Sequence, residues 1–105
     1  MIKLKIDTDG HDLSDELRNR IEDRIGGLDE YMDTLTDGRV TVSWEGGKNE
    51  QTKVRAQVWG GGNRFDGSDT DWKAKKAIDQ TRQKLSSQIR REHSKELGSH
   101  DRHRD

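Results

Sequence analysis

LSDELRNRIEDRIGGLDEYM, residues 13–32, decides how this chain folds. Leu13, Leu17, Ile21, Ile25, Leu28 and Met32 recur at spacings of three and four, so one apolar stripe runs along a helix, with Ser14 as its N-cap. Gly26 and Gly27 fall inside that stripe, and each costs roughly 1 kcal/mol against alanine in a helix. The last turns are therefore either frayed or closely approached by another backbone. Upstream, Ile2, Leu4 and Ile6 alternate with Lys3 and Lys5, a strand with one buried and one wet face that the segment from Asp7 to Asp12 ends. Downstream, Thr36-Asp37-Gly38 closes the connection and Val40, Val42 and Trp44 alternate as a second strand. A strand, a crossover helix and a strand make a right-handed unit with a parallel pair.

Beyond Trp44, Gly46-Gly47-Lys48-Asn49 turns the chain into a third strand, with Val54, Ala56 and Val58 on one face and Lys53, Arg55, Gln57 and Trp59 on the other. Gly60 to Asn63 turns again into a short, weak fourth strand around Arg64 to Gly67, and Ser68 to Asp71 offers capping oxygens to a second helix. There Ala74, Ala77, Ile78, Thr81, Leu85 and Ile89 form the inner stripe. The predicted class is α+β in the order β-α-β-β-β-α, a four-stranded sheet with two helices packed on one face. Residues 1–96 form one domain, and residues 97–105, GSHDRHRD preceded by Leu97, have no period and read as a disordered tail.

Composition narrows the function. Only 26% of the 105 residues are hydrophobic and 39% are charged, so the core is modest, yet the apolar residues keep a clear period. No run is long enough for a membrane span or a signal-peptide core, which predicts a cytoplasmic protein without membrane contact. With no cysteine there is no disulfide, thiolate chemistry or Cys-based zinc site. The net charge of −1 hides a dipole: residues 1–50 hold seven basic and thirteen acidic side chains, residues 51–105 thirteen and eight. Lys73 to Lys95 alone carries eight Lys or Arg against two acids.

A basic helix on an otherwise acidic chain is a footprint for a polyanion, nucleic acid first, or else a solvated face. Lys76, Gln80, Gln83, Ser87 and Arg90 point outward, with Lys73, Lys84 and Arg91 along one flank, a spacing suited to tracking phosphates. On the first helix, Arg20 and Arg24 share a flank with Tyr31, whereas Asp23 and Glu30 occupy the outer face. The wet face of the sheet is a rival surface: Lys3, Lys5, Lys53 and Arg55 join Trp59, which either stacks on an unpaired base or covers the sheet edge. Trp44 and Trp72 read as core or cap residues. Asp7, Asp9 and Asp12 miss the calcium-loop pattern because Gly10 is misplaced and Arg18 stands where the bidentate Glu belongs. His93, His100 and His103 lie in or beside the tail, the glycine-rich pieces lack a phosphate-loop ending, and no catalytic constellation is recognisable. The expectation is a non-enzyme with no cofactor, no metal and no small-molecule substrate.

With this order, LSDELRNRIEDRIGGLDEYM and AIDQTRQKLSSQI, residues 77–89, resemble the two helices of the bacterial ribosome hibernation-promoting factor and ribosome-associated translation inhibitor family, over about residues 2–95. The resemblance implies a double-stranded-RNA-binding-like fold that docks in the decoding channel of the small ribosomal subunit. Its helices would contact 16S rRNA and inhibit translation during stress or stationary phase. On it, Arg24 matches a basic position of the first helix, Lys84 and Arg91 match basic positions of the second, and Arg90 is an added neighbour. Gly27, Glu30 and Ser87 stand where members usually carry Lys or Arg. Together with Arg20, Lys73 and Lys76 from the charge pattern, the expected RNA-binding set is Arg20, Arg24, Lys73, Lys76, Lys84, Arg90 and Arg91, and the expected state is a monomer of the short form. The rival expectation is a relative with weakened rRNA contact, acting as a protein-interaction or stress-accessory module through its acidic first helix.

Overall fold

The computed structural model describes residues 1–9, 12–46 and 50–98. Its elements run β1 (Lys3–Asp9), α1 (Asp15–Arg24), a 3-10 helix (Gly26–Glu30), β2 (Asp37–Glu45), β3 (Gln51–Gly60), β4 (Asn63–Asp71) and α2 (Ala74–Gly98). The sheet order is β1-β2-β3-β4, with β1 parallel to β2 and the other two pairs antiparallel. The α+β class, the parallel crossover pair and the placement of both helices over one sheet face are as the periodicity predicts.

One face of the sheet carries the core. Val40, Val42, Val54, Ala56 and Val58 are buried against Ile21, Ile25 and Leu28 from the first helical segment and Ala77, Ile78, Leu85 and Ile89 from α2. Thr81, also buried, donates its hydroxyl hydrogen to the Ala77 carbonyl at 2.7 Å, with the Val54 carbonyl at 3.3 Å beside it, so this polar member of the stripe is satisfied.

The helix expected through Met32 ends earlier. Ser14 caps it as predicted, its Oγ accepting from Leu17 N at 3.2 Å, but α1 stops at Arg24 and the chain tightens into the 3-10 helix. The cause lies at Gly26, whose carbonyl accepts from Ile2 N at 2.9 Å. A Cβ there would meet Met1 Cε at 3.3 Å and the Ile2 carbonyl at 3.6 Å. Of the two readings of the double glycine, close approach by another backbone holds at Gly26, whereas Gly27 faces open space.

β4 is a full nine-residue strand rather than a short one. Its backbone pairs with β3 from Gly60↔Asn63 to Thr52↔Asp71, and this ladder outweighs the poor strand propensity of DGSD. Trp44 packs partly buried against the core, but Trp72 is 68% exposed, contrary to its reading as a core or cap residue. It sits between the last β4 pair and the first turn of α2, past the end of the sheet. The capping oxygen there is Asp71 Oδ1, which accepts from Lys73 N at 3.0 Å. α2 continues through Gly98, two residues past the expected boundary, and the rest of the tail, with His100 and His103, lies outside the described residues. So do Gly10 and His11 of the Asp7–Asp12 segment and Gly47, Lys48 and Asn49 of the first turn.

The two glycine environments differ enough to test. A Cβ on Gly60 would fall on the Thr34 carbonyl and within 2.7 Å of Thr36 N, so Gly60→Ala should cost about 1–3 kcal/mol. Gly27→Ala, unobstructed, should gain up to about 1 kcal/mol by restricting the unfolded chain. Urea unfolding of the two variants measures both.

Candidate nucleic-acid interface

α2 presents three surfaces besides its buried stripe. Toward α1 and the 3-10 helix it forms a seam of ion pairs. Arg20 of α1 grips Asp79 with two bonds, Nε to Oδ1 at 3.2 Å and Nη2 to Oδ2 at 2.6 Å, and Arg24 Nε lies 3.7 Å from Oδ1. The Asp79 hydrogen bond raises the Arg20 pKa further above its ordinary value, with partial desolvation opposing it. Lys75 pairs with Glu16, whose carboxyl is held below its ordinary value first by that hydrogen bond and then by the lysine charge. Arg82 completes the seam, with Nη2 3.5 Å from Glu30 and 3.2 Å from the Tyr31 hydroxyl, which it donates to.

Tyr31 is the aromatic centre of this region. The Arg82 and Arg90 guanidinium carbons lie 5.8 and 5.9 Å from its ring centroid, within cation–π range. Neither this pairing nor the part Arg82 plays in it is among the residues expected from the sequence. Arg82 stands one turn before Ser86 and two before Arg90, a spacing visible in the chain, but its partner is 51 residues away.

Toward β4, Lys84 Nζ donates to the Ser68 carbonyl at 2.8 Å and lies 3.3 Å from Asp69 Oδ2, while Gln88 Nε2 donates to the Asp66 carbonyl at 2.7 Å. Gln80, expected outside, is half-buried and donates to Asp71 Oδ2 at 3.3 Å. The outer surface carries exposed Lys76, Gln83, Ser87 and Arg90, with exposed Lys73 and Arg91 on the β4 flank.

The seven expected residues therefore divide. Arg20, Arg24 and Lys84 are engaged by acids or carbonyls of the fold itself. Lys73, Lys76 and Arg91 form no ion pair among the described residues, and Arg90 contacts only a ring there. Glu30 is already paired with Arg82. Chemically, the unpaired four form a cationic rim with hydrogen-bonding Gln83 and Ser87 between them, suited to phosphate contacts. Among the described residues, no group of three or more His or acidic side chains is arranged to hold a metal, and no helix is long and apolar enough to cross a membrane.

The profile of the sigma 54 modulation protein / S30EA ribosomal protein family matches residues 4–96. The chain belongs to this family. This agrees with the resemblance to hibernation-promoting factors noted in the two helical motifs. Among solved structures, the chain is similar to the Protein Y N-terminal domain of Thermus thermophilus, with 24% identity and a TM-score of 0.75 over 87% of this chain and 98% of that one. It is also similar to a ribosomal subunit interface protein from Coxiella burnetii, with 18% identity and a TM-score of 0.77 over 89% and 99%. At these identities the likeness establishes the fold. A comparison with curated proteins finds no match.

The cap at the head of α2 predicts an acid response. The Lys73 N–H, more than the Gln80 amide, holds the Asp71 carboxyl below its ordinary value. A carboxyl depressed in the folded state adds stability above its unfolded pKa and loses it as pH falls through the folded one. Asp71→Asn retains the acceptor for Lys73 N but not the titrating charge. Its thermal midpoint should therefore fall less than that of the wild type when pH is lowered through and below the ordinary carboxylate range, as differential scanning calorimetry would measure.

Proposed function

We propose that this chain is a ribosome-associated binding protein, not an enzyme, that docks on the small subunit through the cationic rim of α2. In this reading it lies against 16S rRNA in the decoding channel as a monomer and inhibits translation by occupying the path of messenger and transfer RNA. The cytoplasm is its place of action, and stress or stationary phase the condition. The observation that carries the reading is the rim itself, Lys73, Lys76, Arg90 and Arg91, presented by a single helix in a family with a ribosomal description. The Coxiella burnetii relative, named a ribosomal subunit interface protein, supports it. Arg20, Arg24 and Lys84 serve the same surface indirectly, by fixing α2 against α1 and β4.

The exposed acids Asp15, Glu22 and Asp23 of α1 favour a second reading, a protein-interaction module whose partner is basic. Salt and nuclease separate the two. If the four rim cations neutralise four phosphates, log K for small subunits falls with log salt at a slope of roughly −3 to −4. Cosedimentation with purified small subunits across a salt series measures it. Lys76→Glu combined with Arg91→Glu should abolish cosedimentation and relieve inhibition of in vitro translation, with a native circular dichroism spectrum because both side chains are exposed. A salt-insensitive, nuclease-resistant association would favour the protein partner instead.

A further inference from the structure

The face of the sheet turned away from the helices carries a groove. Strand register sets Lys3, Asp37, Trp59 and Arg64 in one row across the four strands and Lys5, Arg39, Gln57 and Asp66 in the next. At the β1 side these rows frame an open groove lined by Lys3, Lys5, Asp37, Arg39, Gln57 and Trp59. Gln57 and Trp59 also line an adjoining depression that reaches Arg64, so the trough crosses the sheet with the indole between its two halves. Trp59 is 38% exposed and its backbone carbonyl is anchored by Thr36 N at 3.0 Å, so the ring stands on a fixed strand end. Lys3 and Lys5 form no ion pair among the described residues. Arg39 meets Asp7 through Nε at 3.2 Å, which leaves its terminal nitrogens for another acceptor.

We infer that this trough binds single-stranded RNA, with an unpaired base stacked on Trp59 and the flanking phosphates on Lys3, Lys5 and Arg39. Each part of the lining has a matching group on such a ligand. An indole face takes a base of any sequence, the lysines and Arg39 take phosphates, and the Gln57 amide and the Asp37 carboxylate, a pure acceptor, match base edges bearing amino groups. A duplex does not satisfy it, because its base faces are already stacked on one another. A protein partner fits less well, since Leu4 turns its side chain to the core and, Trp59 apart, the side chains of the lining on this face are charged or polar. Three interstrand steps of about 4.8 Å make the trough roughly 14 Å across, long enough for a strand rather than a free nucleotide. The inference does not depend on the docking of α2 on the ribosome, because the two surfaces lie on opposite sides of the sheet.

The test is fluorescence anisotropy of a labelled short single-stranded RNA of mixed sequence, titrated with the full chain and repeated with the same sequence as a duplex. The single strand should bind more tightly. Trp59→Leu should weaken it roughly tenfold while Trp59→Phe, which keeps a ring, stays near wild type. Lys3→Ala with Lys5→Ala should reduce the salt slope by about 1.4, or 0.7 for each phosphate on a single strand. The Lys76→Glu, Arg91→Glu variant should still bind the single strand, so failure of the helical docking leaves this result in place. Equal affinity of wild type and Trp59→Leu, or loss of the single strand in the helical variant, would overturn the inference and leave the α2 rim as the RNA surface. So would a dimer of the protein alone that Trp59→Leu dissociates, which would make a second copy the occupant.

Discussion

A chain that is 26% hydrophobic has enough apolar surface to cover one side of a four-stranded sheet, and that constraint arranges everything else. Val40, Val42, Val54, Ala56 and Val58 point to the same side, and both helical segments must lie there to exclude water from them. The opposite side is left wet, so its strand positions are free to be Lys, Arg, Asp, Gln or Thr. Two consequences follow from one shortage. The helices crowd together on a single face and need polar partners along their seam, and the sheet keeps a polar face with no protein layer over it.

The seam shows how a highly charged chain folds without stranding its charges. Exposed ion pairs contribute little stability singly, but Asp79 is gripped by two arginines of α1, and Glu16 and Glu30 each take a cation of α2. Their effect is orientation. With Lys84 and Gln88 fastened to carbonyls of β4, α2 is held from both flanks, and its rotation about its own axis is determined. The cations that remain, Lys73, Lys76, Arg90 and Arg91, are then presented outward by a helix that cannot roll. A phosphate-binding surface needs that fixity, because each contact positions the partner only if the side chain's origin is fixed.

Features that rest on local pattern were legible in the sequence: the Ser14 cap, the inner stripe of α2, the alternation of Val54, Ala56 and Val58, and, through the strand-helix-strand order, the parallel pairing of β1 and β2. What escaped depends on distant partners. The break after Arg24 is caused by Ile2 reaching the Gly26 carbonyl, and the length of β4 by a ladder that β3 offers. Trp72 is hydrophobic by composition but lies where no element covers it. In the candidate site the same division holds. The cationic character of α2 could be counted directly, but which cations are engaged could not, since Arg20 meets Asp79 across 59 residues and Arg82 meets Tyr31 across 51.

These internal pairings show how a chain with a net charge of −1 would attract a polyanion, as the proposed docking requires. An approaching phosphate responds to charges within about a Debye length, roughly 8 Å at physiological ionic strength, rather than to the total. Near the α2 rim, Asp79, Glu30 and Asp69 are each already matched by an arginine or lysine of the fold, which leaves Asp71 and Glu92 against the four cations Lys73, Lys76, Arg90 and Arg91 and so a positive local balance. Glu22 and Asp23 are exposed on α1, away from that rim. The molecule therefore has an electrical direction, and a polyanion meets attraction on one side and repulsion on the other. In the proposed docking, acidity elsewhere on the surface would act as a selector of orientation, penalising approaches that put α1 first and favouring those with α2 toward the phosphates.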